Sequence, residues 1–201
     1  MSLLGARHSS GAHGILRREV IRHGVARSQR RALIAATLAL TLAANASAQP
    51  KPLSLPAKWY AVQVADDATV ELPGVPDHRI VNDASARGTA FTLHSYSLEA
   101  GGASFVVQTA LYPADVDVSD PRRILQAALD DRARVLEAGK WSKVDWRGTA
   151  VDSTGLVKGG SALRQLVLLK GRRLVSLAFM GPTASTGGAE AERFLKSLKV
   201  K

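Results

Sequence analysis

The stretch SALRQLVLLKGRRLVSLAFM, residues 161–180, is the most informative part of this chain for its fold. Two apolar runs, 161–169 and 172–180, meet at Lys170-Gly171, a junction typical of a tight turn between antiparallel strands. Both runs are nearly continuous in Leu and Val, as in strands that are covered on both faces. The stretch therefore predicts a hairpin that turns at Gly171 and lies in a sheet with a further layer on each side.

Alternation of apolar and polar residues extends this hairpin into a larger antiparallel sheet. Runs of period two lie at 59–64, 69–72, 78–82, 91–98, 105–111 and 144–151. The pair Gly101-Gly102 between two of these runs is typical of a hairpin. The bend Leu72-Pro73-Gly74-Val75-Pro76 cannot continue a ladder, because proline lacks an N–H group. The pattern predicts a meander of antiparallel strands.

Two segments change to a helical period. The first is predicted over 121–138, with Asp120 capping free N–H groups at its start and Gly139 capping its C-terminus. The second is predicted over 189–199, with an apolar stripe centred on Phe194. Acidic residues at the start of this segment and lysines at its end suit the helix dipole.

The order strands, helix, strands, helix predicts one α+β domain over 59–201. Two helices and a hairpin that is buried on both faces predict an antiparallel sheet with helices on both faces, a three-layer α/β/α sandwich. Residues 49–58, which contain three prolines, are interpreted as an extended lead into the domain.

The first 48 residues are interpreted as a basic leader and signal peptide. Arg30-Arg31 precede an uncharged run over 32–44, and Ala46-Ser47-Ala48 before Gln49 forms a small-x-small cleavage site. Cleavage is predicted between Ala48 and Gln49, giving a periplasmic or secreted protein without stable membrane insertion. Residues 1–31 are either a start-site artefact or an extended leader, and general and twin-arginine export both stay open.

The charge distribution argues against nucleic acid as the partner. The chain has 201 residues and a formal net charge of +10. Residues 1–31 carry +6 of this charge, whereas residues 49–201 carry +4 with few aromatic residues. A stacking surface for nucleic acid is therefore not supported. The chain contains no Cys, which excludes disulfides and a lipoprotein anchor.

The predicted domain contains none of the common catalytic or metal-binding patterns. His78 and His94 are its only histidines, and no further ligands stand at zinc spacing around them. The acidic segment 115–120 lacks the glycine turn and terminal Glu of a calcium loop. Arg172-Arg173 could hold an anion, although a solvated turn edge is the favoured interpretation. We predict no catalytic residue, no cofactor and no metal.

Short motifs in a fixed order resemble the PsbP-like domain. They are LPGVP at 72–76, YP at 112–113, EAGK at 137–140, GG at 159–160 with Arg164, GRRL at 171–174, GP at 181–182 and RFLKSL at 193–198. The resemblance implies an α/β/α sandwich without catalysis. Members of that family act as adaptor or assembly proteins, among them a photosystem II extrinsic subunit and a Ran-binding import factor.

Three functions are open at this stage. The leading hypothesis is an exported, non-enzymatic module that binds an envelope protein partner or helps to assemble a complex, which requires an exposed apolar patch. The alternative is a small-ligand carrier, which needs an apolar cavity of roughly 300 Å³ between sheet and helix. A hydrolase, which is less favoured, needs convergent titratable groups in a cleft.

Overall fold

The computed structural model describes residues 54–157 and 159–201. Of these, 51% are in strands and 16% are helical. The strands are β1 Tyr60–Ala65, β2 Ala68–Leu72, β3 Asp77–Ala84, β4 Ala90–Ala100, β5 Ala103–Leu111, β6 Lys143–Arg147, β7 Ala150–Leu156, β8 Ser161–Lys170, β9 Arg173–Pro182 and β10 Lys199–Val200. The α-helices are α1 Pro121–Ala133 and α2 Ala189–Lys196. The predicted cleavage site at Ala46, Ala48 and Gln49 lies outside the described residues.

Seven strands form one antiparallel sheet in the order β3-β4-β5-β9-β8-β7-β6. The predicted hairpin is confirmed: β8 and β9 pair without a break from Ser161↔Pro182 to Lys170↔Arg173. Gly171 lies in the turn at φ +56°, a left-handed conformation that favours glycine. The hairpin is near the middle of the sheet, which explains why both of its faces are apolar.

A second sheet of three strands, in the order β1-β2-β10, covers one face of the large sheet. The side chains that pack between the two sheets are Val64, Val70 and Leu72 from the small sheet, and Phe105, Val107, Val175, Leu177 and Phe179 from the large one. The bend at 73–76 separates β2 from β3, because its two prolines cannot donate to a ladder. We call this face of the large sheet the small-sheet face.

Helix α1 packs on the opposite face, which we call the helix face. Its buried side chains Ile124, Leu125 and Leu129 meet apolar residues of β4, β5, β7, β8 and β9. A fully buried leucine of this kind contributes about 1.5–3 kcal/mol relative to an exposed one. The helix therefore fixes the arrangement of five neighbouring strands.

The predicted sandwich with helices on both faces is wrong. The described chain is mostly antiparallel sheet with two α-helices, and the layer on the small-sheet face is a second β-sheet with the eight-residue helix α2 beside it. The apolar pattern of the β8–β9 hairpin indicates that both faces are covered but not by which elements, and the error lay in assigning helices to both faces. Strands β1 and β2 are not part of the large sheet, and they form most of the layer on its small-sheet face.

The first helix is shorter than predicted, and Gly139 does not cap it. Asp120 accepts a hydrogen bond from the backbone N–H of Arg123 at 3.1 Å, as an N-cap does, but the helix ends at Ala133. Leu136 then pairs with Val157 in an isolated antiparallel bridge. Tertiary pairing replaces the predicted last turn, and Gly139 lies in the following turn at φ +63°.

The last helix is also shorter than predicted. It ends at Lys196, and Lys199–Val200 form the short strand β10 on β2 instead of the predicted last turn. Phe194 is completely buried in the core between the sheets. The side chain of Ser197 donates to the carbonyl of Phe194 at 2.7 Å and accepts from the Glu71 N–H at 2.8 Å, which ties the end of α2 to β2.

Candidate functional site

The space between α1 and the sheet contains a row of buried polar residues. Five adjacent strands each contribute one member: Ser95, Gln108, Ser176, Gln165 and Ser153. The side-chain amide of Gln165 donates to Ser176 Oγ at 3.2 Å. Arg132 of α1 donates to Gln108 Oε1 at 2.7 Å, and burial lowers the pKa of Arg132. This row places buried polar side chains inside an otherwise apolar layer.

The cavity along this row is too small for a carried ligand. Its volume is about 20 Å³, which suits a single water molecule. Among the described residues, Ser95 Oγ, Ser153 Oγ and Gln165 Oε1 have no protein hydrogen-bond partner. A carrier needs roughly 300 Å³, so the space under α1 does not favour the small-ligand alternative.

A charged cleft opens on the small-sheet face beside β6, β7 and α2. Its volume is about 280 Å³, and its lining includes Lys143, Asp145, Arg147, Asp152, Arg164 and Glu192. Arg164 is at its centre and donates to Asp152 through Nε at 3.2 Å and Nη2 at 2.8 Å. Arg164 also donates to Glu192, which pairs with Lys196 at 2.9 Å.

The carboxylates of this cleft are held in ion pairs. Hydrogen bonds from Lys196 and Arg164 lower the pKa of Glu192 from its ordinary 4.5 to about 2. Asp145 pairs with Arg147 at 2.6 Å. A general acid for hydrolysis needs a pKa near the working pH, and the pKa of Glu192 moves in the opposite direction. The ion pairs of this cleft are therefore better explained as structural contacts between α2 and the large sheet. We call the group of Arg164, Asp152, Glu192 and Lys196 the clamp.

The clamp predicts a specific acid sensitivity. Because the pKa of Glu192 is lower in the folded chain than its ordinary value, this carboxylate stabilises the fold above pH 4.5, and the stabilisation is lost as pH falls toward about 2. Between pH 4.5 and about pH 2, we expect the unfolding free energy of Glu192→Gln to fall less than that of the parent. Urea midpoints at a series of pH values measure it. Glu190→Gln, which removes the same charge from the same helix, is the control, and equal acid profiles for both variants would contradict the clamp.

The third feature is an exposed strand at the edge of the large sheet. Strand β3 pairs only with β4 among the described strands, and seven of its eight residues are exposed. Ile80 is 60% exposed and Val81 37%. Natural edge strands are usually protected by charged side chains, proline, a bulge or a short length. Strand β3 has three charged residues, Asp77, Arg79 and Asp83, but it contains no proline, is eight residues long, and its register with β4 is unbroken over eight pairs.

Three stacked aromatic rings lie on β3 and the neighbouring strand β4. His78 stacks on Tyr96 with ring centroids 4.3 Å apart and planes within 4°. His78 Nε2 lies 3.1 Å from His94 Nδ1, a hydrogen bond in which one ring donates its N–H to the other. Ile80 is paired with His94 and projects on the same face. We call Asp77–Ala84 together with His94 and Tyr96 the β3 edge.

The remaining charged motifs are used internally. Arg172 donates to the backbone carbonyls of Tyr112, Pro113 and Val116, and Arg173 pairs with Asp67 at 3.1 Å. These contacts correct both the anion and the solvated-edge interpretations, because the guanidinium groups hold neighbouring loops.

In the described part of the chain, no three His, Cys, Asp or Glu residues lie close enough together to hold a metal ion.

None of the predicted structural residues is part of the β3 edge. Asp120 caps α1, Gly171 is in the β8–β9 turn, and Phe194 is in the core. Sequence reasoning predicted a strand over 78–82 but missed that it is the edge strand. It also missed the ion pairs of Arg164, whose isolated charge within an apolar run was the available signal.

Comparison of the chain with protein-family models, curated proteins and solved structures gives no match. No helix within residues 54–157 and 159–201 is both long and apolar enough to span a bilayer. The candidate site is therefore chosen from geometry. The β3 edge combines exposed apolar side chains, ordered aromatic rings and a strand whose outer side is unpaired in the described chain.

Proposed function

We propose that the chain is an exported, non-enzymatic binding or assembly module that docks a protein partner by strand addition at the β3 edge. The observation that carries this proposal is the eight-residue edge strand with exposed Ile80 and Val81. Strand addition uses main-chain hydrogen bonds for affinity and alternate side chains for specificity. The β3 edge offers both.

Export to the periplasm or the cell exterior belongs to the same proposal and rests on the leader motif. The resemblance to the PsbP-like domain supports an adaptor role through its sequence motifs alone, since the sandwich with helices on both faces that it implies is not observed. The carrier alternative lacks a cavity of suitable size under α1. The hydrolase alternative lacks support in the charged cleft, whose acidic groups are paired.

A photo-crosslinking experiment tests the docking surface. A benzophenone amino acid replaces Ile80 in one variant and Val144 in another, because Val144 is an exposed apolar residue of β6, the opposite edge of the same sheet. We expect irradiation of cells to give a discrete protein adduct from position 80 and none from position 144. No adduct at position 80, equal adducts at both positions, or an adduct that migrates as the monomer would overturn the proposal.

A further inference from the structure

We propose that the partner at the β3 edge is a second copy of this chain, paired antiparallel through β3 about a two-fold axis at Val81. This inference rests on the proposed function and names its partner. The pairing would join two seven-stranded sheets into one continuous sheet. Cyclic two-fold dimers are the commonest symmetric assemblies, and their interfaces must be self-complementary. The sequence of β3 meets this requirement.

Backbone geometry limits the registers in which β3 can pair with itself. In an antiparallel ladder, two residues that face each other either both exchange hydrogen bonds or both do not. Alternate residues of β3 direct their N–H and C=O groups away from β4. A residue of this kind can face only another of the same kind, so two facing residues are both even-numbered or both odd-numbered. The two-fold axis must then lie at a residue rather than between two residues. The central candidates are Ile80, Val81 and Asn82.

Charge selects Val81 among these three. An axis at Val81 places Arg79 opposite Asp83 of the second copy, and the symmetry repeats this pair on the other side of the Val81–Val81 contact. Opposite charges that face each other across strands are stabilising, and like charges are destabilising. An axis at Ile80 would place Asp77 opposite Asp83, and an axis at Asn82 would leave Arg79 opposite Ser85.

The side chains that form these pairs lie on the same face of the sheet. Arg79 is paired with Ser95, Val81 with Leu93 and Asp83 with Phe91, all of which project toward the helix face. Arg79 and Val81 are exposed, and Asp83 is half-buried. The segment 79–83 is therefore complementary in charge to its own reverse, with an apolar residue at its centre.

The other face adds an apolar contact. With the axis at Val81, Ile80 faces Asn82 of the second copy, and the two Ile80 side chains become diagonal neighbours within reach of each other. The stack of His78, His94 and Tyr96 borders this contact on each side. A paired edge of this length buries less surface than a standard stable interface, so a reversible dimer is expected.

Charge reversal tests the register directly. Sedimentation equilibrium of the full chain, from about 1 µM to about 1 mM to span a weak reversible affinity, is expected to show a monomer–dimer equilibrium. Arg79→Asp places two aspartates opposite each other, and Asp83→Arg places two arginines opposite each other. We expect each variant alone to raise the dissociation constant at least tenfold. An equimolar mixture of the two is expected to form a heterodimer, because both pairs are then opposite in charge.

Lys140→Asp, the same charge reversal at an exposed residue of a turn, is the control and should dimerise like the parent. Recovery of a dimer in the mixture also shows that both variants fold. A parent that is monomeric throughout, single variants that dimerise like the parent, or a mixture without heterodimer would overturn the inference.

Failure of this inference can be separated from failure of the proposed function. If the parent is monomeric and position 80 still gives an adduct with a protein of a different mass, the partner is another protein and docking at the β3 edge stands. If position 80 gives no adduct, both proposals are overturned. An adduct of twice the mass of the chain, lost in Arg79→Asp, supports both.

Discussion

Phe194→Ala is expected to leave the protein marginal or unfolded, with a loss of about 3–5 kcal/mol of unfolding free energy. Phe194 is completely buried between the two sheets. Its ring meets Phe105 edge to face at 5.3 Å, and Phe105 meets Phe179 in the same way at 5.2 Å. Truncation therefore opens a cavity at the centre of an aromatic cluster. The total stability of a domain is typically only about 5–15 kcal/mol.

Urea midpoints of the parent and the variants measure this loss. Lys196→Ala removes an exposed side chain two residues further along, whose ion pair with Glu192 contributes only about 0.3–0.5 kcal/mol. Phe194→Leu keeps most of the apolar volume and should lose less than Phe194→Ala. If Phe194→Ala unfolds at the midpoint of the parent, α2 is not part of the cooperative core.

Arg164→Met is expected to cost about 3 kcal/mol, the lower end of the range for breaking a buried ion pair. The side chains of Arg164 and Asp152 are only 16% and 13% exposed. Methionine preserves the length of the side chain but leaves the Asp152 carboxylate without its two hydrogen bonds. The penalty arises from the charge left behind more than from the lost attraction.

The double variant Arg164→Met, Asp152→Leu separates these causes. It removes both charges from the partly buried pair, so its unfolding free energy should recover much of the loss, as in other proteins where a whole ion pair is replaced. Arg147→Met breaks a pair that is more exposed and should change stability by less than about 1 kcal/mol. Equal losses in the single and double variants would show that the charge left on Asp152 is not the cause, and that the loss comes from the other contacts of Arg164, with Glu192 and the Thr186 carbonyl.

Local signals in the sequence were sufficient where one short segment decides the structure. The β8–β9 hairpin follows from two apolar runs around Gly171, and the start of α1 follows from Asp120 before Pro121. In both cases the deciding interactions are local: Lys170 pairs with Arg173 beside the turn, and Asp120 caps the helix that starts at the next residue. The hydrogen bond from the Arg123 N–H to Asp120, for example, spans three residues.

Local signals failed where distant segments compete for the same residues. Leu136 continues the helical stripe in sequence, yet it forms a bridge with Val157 and packs against Gly155, where an added Cβ would lie 2.8 Å from the leucine. Lys199 is the last residue of the predicted second helix, yet it and Val200 pair with β2. Pairing with a distant strand prevailed over helix propensity in both places.

Most of the candidate site cannot be predicted without the order of the strands in the sheet. The run over 78–82 predicts a strand, but exposure of Ile80 and Val81 depends on the place of β3 at the end of the sheet. Likewise, Asp152 and Glu192 are 12 and 28 residues from Arg164 in the chain. The pairing of β7 with β8 brings Asp152 to Arg164, and the packing of α2 beside β8 brings Glu192 there.

Local patterns in the sequence account for the antiparallel hairpins, the start of the first helix, the burial of both faces of the central strands and the charge pattern of β3. These features depend on the period of apolar residues, on turn glycines and on a capping carboxylate, all of which act over a few residues. Tertiary packing determines which element covers each face, where the helices end and which strand lies at the edge of the sheet. Those outcomes depend on burial shared between segments far apart in the chain, and no local pattern records which of them meet.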